Sequence, residues 1–155
     1  MDSAKYKAED ISNLLLRTVD RQSGDIMSPL KLQKLLYLIQ GHYLAKYSKP
    51  LFDDDFEAWL HGPVVRKIWN KYKEYTYNSI PEPDNYYELV PNFDKETIDA
   101  VNYIYNKYGI YEAKYLEQLT HKTDPWIDNF DSFEDYHNNK ISKEEIAKHF
   151  KIEEL

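Results

Sequence analysis

A chain of 155 residues, 42% of them hydrophobic, can furnish one core, and the absence of cysteine excludes disulfide frameworks and thiolate chemistry. The net charge of −7 is unevenly placed: residues 1–80 carry 12 Lys/Arg against 10 Asp/Glu, and residues 81–155 carry 8 against 17. An acidic half repels a phosphate backbone, so nucleic acid is not an expected partner, whereas a basic protein surface would be steered toward it.

The opening MDSAKYKAED has no apolar signal region, and the longest apolar run, Leu35 to Ile39, is far short of a membrane span. The expectation is a cytoplasmic chain away from membranes. A first helix is predicted over Tyr6 to about Arg21, with Ile11, Leu14, Leu15 and Val19 on one face and Gly24 ending it. Ser28-Pro29 then supplies an N-cap hydroxyl and a proline at the first helical position. Leu32, Leu35, Leu36, Ile39 and Tyr43 follow at helical spacing. Gly41 lies inside this helix at a cost of roughly 1 kcal/mol, which a close helix–helix approach would explain.

After Ser48-Lys49-Pro50, the triplet Asp53-Asp54-Asp55 lacks the turn glycine and distal glutamate of a calcium loop. Phe56 to Leu60 reads as a short strand, and His61-Gly62-Pro63 as a turn into a helix whose first residue is Pro63. Val64, Ile68, Trp69 and Tyr72 form that helix's buried face. Pro81, Pro83 and Pro91 forbid a helix over 76–93, and Tyr86–Val90 is the expected partner strand of 56–60. Asp94 caps the next helix, with Ile98, Val101, Ile104 or Tyr105, and Tyr108 inward and Gly109 closing it. Tyr111–His121 should bury Tyr115, Leu116 and Leu119, and Asp124-Pro125 should restart the chain as cap and first helical residue, with Trp126 as anchor. Ser142 and Glu145 make a capping box ahead of Ile146 and Phe150. The fold class predicted is mainly α: a single compact domain over 1–155 with a small two-stranded β element, on the border of α+β.

No nucleophile elbow, phosphate loop or dinucleotide glycine pattern is present, and the histidines form no HExxH or HxH pair. His61 and His121 both stand at helix ends near prolines and could meet, with Asp124, in a metal or acid/base site. Equally, each ring could satisfy carbonyls at a helix terminus. No cofactor is expected. The 15 tyrosines suit an interface, but Lys, Asn, Ile and Tyr also rise together under AT-rich coding. Binding is favoured over catalysis.

Three segments, LKLQKLLYLIQGHYLAKYSKPLF, EAWLHGPVVRKIW and LEQLTHKTDPW, together resemble the Panacea domain, a family that includes phage-associated GepA-like proteins and SocA-like antitoxins. The resemblance runs from about Ile11 to Phe150. It implies a mostly helical domain that neutralises a toxin, encoded by an adjacent gene and often in a prophage, by direct contact. Some members are adaptors that deliver the toxin to an ATP-dependent protease. The matching positions include Leu32, Leu35, Gly41, Trp59, Gly62, Pro63, Pro125 and Trp126 as structural anchors. Lys31, Gln33, Lys34 and Gln40, with His61, His121 and Asp124, are the candidates for partner contact. For Gln33 and Gln40, seven apart on one face, the alternative is a buried pair bonding the 57–64 segment. Two departures stand out: Thr123 where relatives carry an acidic residue, and Ile127-Asp128-Asn129 where a basic residue follows the Pro-Trp pair. With no DNA-binding segment ahead of the matched block, promoter autoregulation is not expected. The rival readings are a phage-encoded adaptor or host-interaction protein without a cognate toxin, and a metal-dependent hydrolase.

Overall fold

The computed structural model describes residues 3–84, 92–132 and 139–152. Among these stand seven helices, α1 (Ala8–Thr18), α2 (Pro29–Tyr47), α3 (Arg66–Tyr72), α4 (Lys95–Tyr108), α5 (Ala113–Thr120), α6 (Asp124–Asn129) and α7 (Lys143–Ile152). Three short strands accompany them: β1 (Phe56–Trp59), β2 (Gly62–Val64) and β3 (Lys140–Ile141). The fold is mainly α with a small β element, as the periodicities predict.

Helix α2 is the post around which the rest is built, touching α1, α3, α4, α5, α7 and β2. Its ends follow the sequence signals. Ser28 Oγ accepts from Lys31 N, Pro29 opens the first turn, and Ser48 closes the helix in the left-handed conformation at φ 58°. The expected stripe is buried, but so are Leu38, Leu44 and four polar residues, because neighbours surround the helix on all sides. Gly41 meets α7 face to face: a Cβ there would overlap the Phe150 ring, so the close approach inferred from the sequence is real.

The sheet order is β2-β1-β3, all antiparallel, with Ala58 opposite Pro63, Trp59 opposite Gly62 and Phe56 opposite Ile141. Residues 62–64 were expected to turn directly into a helix led by Pro63. Instead Gly62, at φ 108°, reverses the chain into β2, and α3 begins only at Arg66. Pro63 is tolerated because β2 is an edge strand, and the opposite Ala58 N–H donates the other way, to Asn139 O. The strand expected at Tyr86–Val90 lies outside the described residues.

Other boundaries shift modestly. Helix α1 ends at Thr18, and a separate 3-10 turn, Arg21–Ser23, carries the left-handed Gly24. Helix α4 buries Thr97, Ala100, Val101 and Ile104, while Ile98 is exposed. Helix α5 buries Leu116, Glu117 and Thr120, and Tyr115 lies outside, stacked on Tyr111 at 4.3 Å. Thr123, not Asp124, is the N-cap of α6. The capping box of α7 forms as expected, with Glu145 N donating to Ser142 Oγ and Ser142 N to Glu145 Oε2. The aspartate triplet stitches chain ends together: Asp53 accepts from Ala4 N, Asp54 from Ala8 N, and Asp55 pairs with Lys140 and Lys143.

Candidate functional site

Backbone polar groups in buried loops need partners, and α2 supplies them with its side chains. The Gln33 carboxamide accepts from Val65 N at 2.8 Å and donates to Val65 O at 3.2 Å, as a neighbouring strand would. Gln40 treats the 51–52 segment alike, accepting from Leu51 N and donating to Phe52 O, both at 2.8 Å. Lys31 Nζ donates to Gly109 O at 2.6 Å, and Lys34 Nζ to Pro63 O at 2.8 Å. All four side chains are buried. Proposed from sequence as partner contacts, they grip the protein's own main chain from inside. Gln33 and Gln40 are buried, as the alternative had them, but neither bonds the 57–64 segment: Gln33 holds Val65, just beyond it, and Gln40 holds residues 51–52.

The hairpin tip between β1 and β2 is the place where the candidate residues gather. Gly62 packs against Lys34 so closely that a Cβ would lie 2.9 Å from both Nζ and Thr120 Oγ1. Burial pushes the Lys34 amine down to about 7, against the pull of the Glu117 carboxylate. That carboxylate, itself buried on α5, meets His61 Nδ1 at 2.5 Å. In the neutral ring the Nδ1 facing a carboxylate carries the proton, which leaves His61 Nε2 as an outward acceptor.

From the far side, Trp126 Nε1 donates to Trp59 O at 2.8 Å, and His121 stacks on the Trp126 ring at 4.1 Å. Burial lowers the His121 pKa, opposed by Glu117 and by a backbone hydrogen bond with Leu60, and its Nε2 is enclosed with no close, well-aligned hydrogen-bond partner among the described residues. Beneath, Tyr37 OH bonds Thr123 Oγ1, which bonds Thr120 O. The tip is therefore held from α2, α5 and α6 at once. Its outer side presents Leu60, 58% exposed, and the His61 side chain, 67% exposed.

His61 and His121 thus share one neighbourhood, as the sequence suggested, but Asp124 is exposed and makes no third member. Among the described residues no three His, Cys, Asp or Glu side chains converge as a metal cage. Glu117 is the residue that sequence reasoning missed. Its available signal was its place on α5, three residues before Thr120 and four before His121, on the same helical face. Chemically, the arrangement holds a turn in place and displays an apolar side chain beside an imidazole whose Nδ1 is engaged by Glu117. No described helix is long and apolar enough to cross a membrane.

Residues 32–127 match the model of a family described as antitoxin SocA-like, Panacea domain. Antitoxin SocA of Caulobacter vibrioides (strain NA1000 / CB15N) is 43% identical over 65 residues, a match covering 41% of this chain. The chain spans only 33% of that relative's length. No solved structure matches it.

Proposed function

Because the chain belongs to the SocA-like antitoxin, Panacea-domain family, we propose that it is the antitoxin of a toxin–antitoxin pair, neutralising a protein toxin by direct contact. The observation that carries this reading is the family match over 32–127, which contains Lys34, Glu117 and Trp126, whose side chains clamp the hairpin tip, and Gln33, which holds Val65 beside it. A tip held by side chains from three helices suits recognition, since a surface ordered in advance loses little conformational freedom on binding. Leu60 would enter an apolar pocket on the toxin, with the His61 imidazole fixing orientation beside it. On this reading the protein is a cytoplasmic binding protein rather than an enzyme, and the toxin is the product of the adjacent gene.

Co-expression tests it. The neighbouring gene product, toxic when expressed alone, should become harmless with this protein present, and the two should co-purify. A neighbour that is harmless alone, or that stays toxic while this protein is abundant and folded, sinks the reading.

A further inference from the structure

We propose that the Lys34 amine is a proton-linked latch behind the hairpin tip, enclosed by the seated turn and taking up a proton more readily whenever the turn swings out and admits water. This rests on the reading of the tip as the docking surface and adds its regulation. The geometry carries it in three ways. Lys34 is fully buried, yet Pro63 O is the only acceptor its Nζ meets among the described residues. An ammonium has three donors to satisfy, so one acceptor suits a neutral amine. The Gly62 backbone packs directly against the amine, so movement of the tip uncovers it.

The charged and titratable groups around Lys34 are few. Glu117 faces it from α5, with Oε1 taken by His61 Nδ1 from the turn, and His121 stands at the C-terminal end of α5. On α2, Tyr37 lies one turn away, bonded to Thr123, with Asp124 and Glu145 acting on it. The sign follows. Seated, the amine loses its proton near pH 7; open, it behaves as free lysine, near pH 10.4. Between these values the open form holds the extra proton. Acidification through the window therefore loosens the tip by about tenfold per pH unit, flattening below about pH 7.

Two measurements on the full chain test this. The Lys34 Cε resonance, assigned through backbone connectivity, is followed with pH, and amide exchange at Val65, held by Gln33 beside the tip, is converted to an opening constant from about pH 7 to about pH 9. The expected result is a Cε titration near pH 7 and an opening constant that falls about tenfold per unit as pH rises. The slope should persist in His61→Asn and vanish in Lys34→Met. Titration of Lys34 in the ordinary lysine range, a flat wild-type profile, or a slope lost with His61 overturns the latch. If Lys34→Met does not fold, the Cε titration and the wild-type and His61→Asn profiles still decide. Neither measurement involves a toxin, so a failed latch leaves the antitoxin reading standing. A latch that titrates beside failed neutralisation counts against that reading alone.

Discussion

Gln33 and Gln40 do work that no apolar side chain of the same length could do. Each supplies a donor and an acceptor to a main-chain segment lacking a strand on that side. Gln33→Met keeps the volume but strands two buried backbone groups, and should lower the unfolding free energy by about 2–4 kcal/mol in urea titrations. Gln40→Met should cost a similar amount, and an effect near zero at either site would show that water replaces the amide. The sequence placed these two residues on one face, and the spacing was informative. What it could not reveal is direction: polar letters on an amphipathic helix point outward by default, and only a helix surrounded on all sides turns them inward. Glu117 escaped notice for the converse reason, since a glutamate in a short helix resembles a solvated one until its partners on other elements are in place.

The α2–α7 contact turns on Gly41 and the Phe150 ring. Gly41→Ala improves helix propensity but forces the ring aside, so a net loss of about 1–3 kcal/mol is expected. Trimming the ring in Phe150→Leu should recover part of that loss in a double-mutant cycle, and simple additivity would deny the contact. Asp55 ties β3 and α7 to the segment before β1. Burial alone would raise its pKa, but hydrogen bonds from Lys143 and Lys140 hold the carboxyl below the usual range. Its stabilisation is therefore present above the unfolded aspartate value of about 3.9 and is lost as pH falls through the lowered folded value. Asp55→Asn should cost about 1 kcal/mol at neutral pH, discounted because the carboxylate is partly hydrated, and should flatten part of the acid unfolding curve. Caps at Ser28, Asp94 and Ser142 were legible because each carries its own chemistry locally. Strand β2 was not, since proline argues against a strand until the strand is known to be an edge, and the two residues of β3 have no periodicity of their own.

Across the whole molecule, the clamped tip on the proposed reading separates stability from recognition. Leu60 is largely exposed, so Leu60→Asp should change stability by no more than about 0.5 kcal/mol while weakening toxin neutralisation tenfold or more, read by thermal melts and a co-expression rescue titration. Equal loss in both readouts would place Leu60 in the packing instead. The neighbourhood of His61 and His121 was partly readable in sequence because both were expected at helix ends near prolines, although His61 sits in the turn between β1 and β2. Its inner half, Lys34 with Glu117, depends on contacts between α2 and α5 that no local pattern encodes. The grip on the turn has an evolutionary corollary. Lys34, Gln33 and Trp126 hold carbonyls and amides, features shared by every amino acid, so the letter displayed at 60 is free to be rewritten without loosening the frame beneath, whereas His61 is tied to it through Glu117. Such a scaffold can acquire a new target by changing its outermost side chains alone.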